Sequence, residues 1–185
     1  MAGQLKNLMQ GLYYPAVTGT GTVLVLYRLT MHESVFSAAH DLALGYGIVF
    51  VLWFSASFVA ISLVPVERYT GYEFLLDTIE VILTFCAFYF LGLFSTDSIR
   101  EPNLRGVYGS AFVLGVAQAL WRFCLPDSHD FRLWILRLTL LLTNGVGLAR
   151  LHVYAWFNNL AFLVMVILVL VYVLVLRERS LNSSH

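Results

Sequence analysis

Charged residues are scarce in this sequence. They make up 12% of 185 residues, about half of the roughly 25% usual in a soluble domain. Lysine is nearly missing: the basic residues are ten arginines and the single Lys6. No lysine therefore lies inside an apolar stretch, which excludes a retinal or pyridoxal Schiff base within a bilayer. A P-loop is excluded too, since its phosphate cradle ends in a lysine. Neither sign of charge is in surplus, with 11 basic against 11 acidic residues. Nucleic acid is thus not an expected partner, and no acidic tail is present.

Cysteine is almost as rare. Cys86 and Cys124 lie in or at the end of apolar runs and form no CxxC, no haem-attachment CxxCH and no disulfide framework. Their expected role is apolar packing. No HExxH, ExxH or HxxxH pattern is present, so no metal site is expected. The N-terminal Met1-Ala2-Gly3-Gln4-Leu5-Lys6 lacks the pattern of a cleaved signal peptide, and neither end carries a lipidation motif. The first apolar run is therefore expected to be retained.

What fills the sequence is apolar: 59% hydrophobic and 15% aromatic residues, with a mean hydropathy of +0.79. A soluble fold of this size has no interior large enough for that surface. The expected fold is an all-α, polytopic membrane helix bundle, a single integral membrane domain over 1–185 with no soluble domain. Six stretches are long enough to span: 12–30, 36–64, 72–94, 104–125, 131–151 and 155–176. If the Gly- and Thr-rich 12–30 lies along the surface, five spans and one interfacial segment remain. Pro65 with Glu67-Arg68, and Pro126-Asp127, punctuate the second and fourth stretches. The last two stretches meet almost without a linker, which predicts a tight antiparallel hairpin.

Counting basic residues by side orients the bundle. With six spans, Lys6, Arg68, Arg122, Arg132, Arg177 and Arg179 share one face, and Arg28, Arg100, Arg105 and Arg150 the other. The excess puts both termini in the cytoplasm, with the protein in a plasma or inner membrane.

One group of residues has chemical content. Glu73, Asp77 and Glu80 are spaced by four and three in the third stretch, so they share one helix face. An acid at a helix centre costs about 2.5–3.5 kcal/mol on the insertion scale. Such side chains must face a partner or a water-filled path. Arg137 is the expected partner. Asp77 lies 12 residues past Pro65 and Arg137 lies 11 past Pro126, so helices entering from one face carry both to similar depth. The spacing of Arg132, Arg137 and Arg150 does not repeat every third residue, so a voltage-sensor helix is excluded.

A second polar layer collects at the other face: His40, Asp41, Arg150 and His152, with Asn158 and Asn159 nearby. Two facing imidazoles, His40 and His152, could ligate a haem b or a metal. The bland reading, hydrogen-bonded interfacial histidines and no cofactor, is the preferred one. Tyr13, Tyr14, Tyr69, Tyr72, Trp121, Trp134, Tyr154 and Trp156 fall near stretch ends and read as an interfacial aromatic belt. Trp53 and Phe54, deep in the second stretch, read as packing or lipid-facing residues.

The function these features favour is a small cation or proton channel or carrier lined by the acidic stripe. The bilayer is its medium, and a homo-oligomer or a membrane-protein partner helps enclose the path. The leading alternative is a non-catalytic subunit or scaffold whose charges lock helices together. An intramembrane lipid-acting enzyme using His40 and Asp41 is a third reading, weakened by the lack of a nucleophile or metal motif.

Overall fold

A computed structural model describes residues 2–30, 38–66, 69–94, 103–124 and 131–182. Among these residues the chain is helical, with no strand. Helix α1 (Ala2–Leu8) runs through a π-helical turn (Met9–Tyr13) into α2 (Tyr14–Thr30). Then follow α3 (Ala38–Ser62), α4 (Gly71–Phe90), α5 (Leu104–Cys124) and α6 (Phe131–Ala149). A 3-10 turn (Leu151–Val153) leads into α7 (Ala155–Asn182).

Local chemistry explains the helix ends. Pro15 has no N–H to give the carbonyl four residues back, and its ring crowds that carbonyl. The chain accommodates it by widening to a π turn in which Tyr14 N–H bonds Met9 O. The expected stretch 12–30 is thus the later part of a helix that starts at Ala2. Helix α4 opens on a capping box: Thr70 N–H and Thr70 Oγ1 both bond the Glu73 carboxylate, the former at 2.8 Å, while Thr70 Oγ1 accepts from Tyr72 N–H. Thr70→Ala should cost about 1 kcal/mol of stability, readable as a lower midpoint in denaturant unfolding.

The expected third stretch ran to 94, but α4 ends at Phe90. Gly92 takes φ 72, where its missing side chain removes the clash. Leu93 N–H then bonds Phe88 O at 3.1 Å and Gly92 N–H bonds Tyr89 O at 2.9 Å, closing a Schellman turn. Conversely, α7 continues through Arg177-Glu178-Arg179 to Asn182, because Arg and Glu are good helix formers.

The six longer helices pack side by side in the ring order α2–α3–α7–α6–α5–α4, closed by contact of α4 with α2. They alternate in direction. At one end Lys6 Nζ donates to Val64 O and Arg132 Nη1 meets Glu178 at 2.6 Å. At the other, Arg28 donates to Gly92 O. The two ends of the described chain accordingly lie on one side of the bundle.

Three helical segments are long and apolar enough to cross a membrane: Leu42–Ser62, Phe131–Ala149 and Ala155–Glu178. Leu104–Leu120 is a shorter apolar helix. Helix α4 carries three acids, and α2 has only 17 residues. The all-helical expectation holds, and three of the six expected stretches have the length and hydropathy to span. Large apolar side chains cover the outside, and a minority of polar ones sit within an otherwise apolar core. Leu26, Ile82, Leu142, Leu163 and Leu174 point outward, each more than half exposed, while Ser57, Asp77, Glu80, Thr84, Gln118 and Asn144 are buried.

Candidate functional site

The first polar cluster sits where the N-terminal turns of α2, α4 and α6 meet the C-terminal turns of α3, α5 and α7. Glu73, Asp77 and Glu80 line the inner face of α4, each under 5% exposed. Their roles differ. Glu73 is held by Thr70 in the capping box and serves to start the helix. Asp77 accepts a hydrogen bond from Tyr69 Oη, which approaches from the segment before α4. Burial, and next the Asp77 charge, hold the Tyr69 phenol well above its ordinary value, so it remains a donor.

Glu80 lies one turn deeper than Asp77. It feels the Asp77 charge and the Arg137 guanidinium from α6, and accepts a hydrogen bond from the Gln118 amide of α5. Gln118 also reaches Ser57 on α3 at 3.5 Å, so the cluster joins α3, α4, α5 and α6. The Thr84 hydroxyl bonds back to Glu80 O at 2.8 Å and adds no group to the site. Arg137 is half-buried on α6, with Leu136 and Leu140 packed inward beside it. The structure thus brings together Asp77, Glu80 and Arg137, and gives Glu73 to the backbone.

Three participants went unnoticed as such in the sequence. Tyr14 and Tyr69 were expected in the aromatic belt, yet they are 1% and 0% exposed. Tyr14 stacks on Phe54 with ring centroids 4.5 Å apart, and its electrostatic neighbours are Glu80 and then Asp77. The π turn that Pro15 imposes is what aims it inward. Gln118 was the third, and its signal was available: a polar amide in an otherwise apolar helical run needs a partner. The belt reading does fit Tyr72, Trp134, Tyr154 and Trp156, which are exposed. The Trp121 side chain lies outside the described residues. Trp53 and Phe54 are interior packing residues, with Trp53 against Tyr172 at 5.0 Å.

The opposite end holds a different network from the one expected. Tyr46 Oη and Tyr108 Oη are 3.2 Å apart, Tyr108 Oη donates to Asn158 Oδ1 at 3.0 Å, and Asn158 Nδ2 donates to His152 O at 2.9 Å. These bonds link α3, α5 and α7 through their buried faces. Small neighbours mark both tyrosines in the sequence: Gly45 and Gly47 flank Tyr46, and Gly106 and Gly109 lie near Tyr108. His152 is half-buried and donates Nδ1–H to Gly147 O at 3.0 Å. Arg150 is exposed. His40 and Asp41 belong to the first turn of α3, and their side chains lie outside the described residues. Among the described residues, no group of three or more His, Cys, Asp and Glu could hold a metal ion.

Comparison of the chain with protein-family models, with curated proteins and with solved structures finds no match. The function is therefore argued from the site alone.

Proposed function

We propose that this chain is an integral membrane protein whose six longer helices cross the bilayer, and that it carries protons or small monovalent cations. Asp77 and Glu80 bind the cargo, and Arg137 is their counter-charge. One observation carries this reading: two carboxylates and one guanidinium meet in the interior of a bundle whose outside is apolar. Counted by themselves and with all three ionised, these groups sum to one negative charge. In a low-dielectric interior that charge is expensive, and binding one positive charge from water removes it. The apolar outer faces of α2 and α4 allow these helices to cross in company with their neighbours, which cover the acids.

Orientation follows from the same end of the bundle. Lys6, Arg122, Arg132, Arg177 and Arg179 belong to the end where the two described chain ends lie, against Arg28, Arg105 and Arg150 at the other, so this end faces the cytoplasm, in a plasma or inner membrane.

The test is flux. Protein reconstituted into liposomes should move protons or cations reported by an enclosed dye, and Asp77→Asn with Glu80→Gln should abolish that flux while leaving the fold intact. The second reading, a membrane scaffold, is favoured by the donors that already hold the acids, Tyr69 on Asp77 and Gln118 on Glu80. Absent flux in the natural protein, together with unfolding of the doubly neutralised variant, would establish the scaffold instead.

A further inference from the structure

The chemistry of the walls around Asp77 and Glu80 distinguishes a proton from a metal cation. A dehydrated metal ion wants many oxygen ligands, six to eight for calcium and six for magnesium. The groups facing the acids here are mostly donors. Tyr69 Oη–H is committed to Asp77, the Gln118 amide to Glu80, and the Arg137 guanidinium has no acceptor to offer.

A further donor lies in the same wall. The Tyr14 hydroxyl is buried, has no hydrogen-bond partner among the described residues, and has Glu80 and Asp77 as its strongest electrostatic neighbours. Its ring packs against Phe54 and Phe58 of α3, with centroids at 4.5 and 5.7 Å, and is 1% exposed, which keeps it from water. A buried hydroxyl without a partner is costly, and a site that holds one is completed by a small ligand that both accepts and donates. Water bearing or passing a proton has that property. A bare alkali ion does not.

We propose that Asp77 and Glu80 form a binding site for a single proton, with Tyr14 as the positioning residue that reaches the carboxylates through one water molecule. This rests on the reading of the two acids as the cargo site. The proton comes from water at the end of the bundle where Tyr69 and Glu73 lie, and no bond other than O–H forms or breaks. Among the described residues, the titratable and charged groups around the site are Tyr14 from α2, Tyr69 just before α4, Glu73 in its first turn, Arg137 from α6 and Tyr172 from α7. Helices α3 and α5 contribute the uncharged Ser57 and Gln118.

Infrared titration of the full chain in nanodiscs tests this apart from transport. A protonated-carboxyl C=O band should titrate as one proton per chain, and should be lost in Asp77→Asn with Glu80→Gln. It should hold its position when choline chloride is replaced by sodium or potassium chloride. Tyr14→Phe keeps the ring stack on Phe54 and should move the band and its pH profile by about one unit, a tenfold change in proton affinity. Gln118→Leu removes the donor on Glu80 without touching Tyr14 and should also move the band. A missing band, a band displaced by sodium or potassium at fixed pH, or a band unmoved by Tyr14→Phe overturns the proposal. A band with all these properties in a protein that shows no flux overturns the transport reading and leaves the proton site standing.

Discussion

Arg137→Gln should destabilise the bundle by about 3 kcal/mol, toward the lower end of the range for breaking a buried ion pair because Arg137 is only half-buried. The argument is one of residual charge. Removing the guanidinium leaves Asp77 and Glu80, one turn apart on the same face of α4, with their hydrogen-bond donors but without the Arg137 charge. Adding Glu80→Gln to the same chain should recover much of the loss, because Gln118 and Ser57 can satisfy an amide as well as a carboxylate. A double-mutant cycle on unfolding in sodium dodecyl sulfate should then give a coupling of at least about 1 kcal/mol. Additive effects would mean that Arg137 is not the counter-charge of Glu80.

The same arithmetic separates stability from transport. Arg137→Gln raises the summed negative charge of these groups from one to two, so a bound cation becomes harder to release. The variant that recovers stability with Glu80→Gln has one carboxylate left and no guanidinium. Its net charge equals that of the natural site, yet the second acid through which cargo passes is gone. Recovered folding without recovered flux would assign Arg137 to charge balance and the acid pair to transport.

Much of the architecture can be read from a few residue types. Pro65 and Pro126 mark where α3 and α5 stop, and counting from them puts Asp77 and Arg137 at similar depth; the structure brings Arg137 within electrostatic reach of Glu80, one turn along α4. The spacing of four and three correctly places three acids on one face, but says nothing of their different partners. Glu73 is separable only once Thr70 is seen as an N-cap, since Thr-x-x-Glu is a local pattern that competes with the longer-range one. Tyr14 and Tyr69 were the harder cases. Position near a stretch end predicts a belt residue, yet Tyr14 follows a π turn and Tyr69 turns inward to bond Asp77. The polar network at the other end depends on pairings between helices distant in sequence, such as Tyr46 with Tyr108 and Tyr108 with Asn158. No local pattern encodes those contacts.

Gly147→Val should cost about 2–5 kcal/mol by combining overpacking with loss of that network. A Cβ at position 147 would lie 2.7 Å from Tyr108 Cγ, with Cδ1 and Cδ2 at 2.8 and 2.9 Å. Because Cγ is bonded directly to the Tyr108 Cβ, rotating the ring cannot move it away; the backbone of α5 or α6 must shift. Tyr108 is fully buried, so the shift pulls its hydroxyl from Asn158 and Tyr46 with no water to replace them. Gly147 O also holds the His152 ring, so the hairpin between α6 and α7 loosens with it. Gly109 supplies the control on the facing helix. A Cβ there meets only Leu148 Cδ1 at 3.6 Å, an ordinary contact, and Gly109→Ala should be neutral or stabilise by about 0.5–1 kcal/mol through helix propensity. Unfolding midpoints that place the two variants together would show that the close approach of α6 to Tyr108 does not hold this end of the bundle.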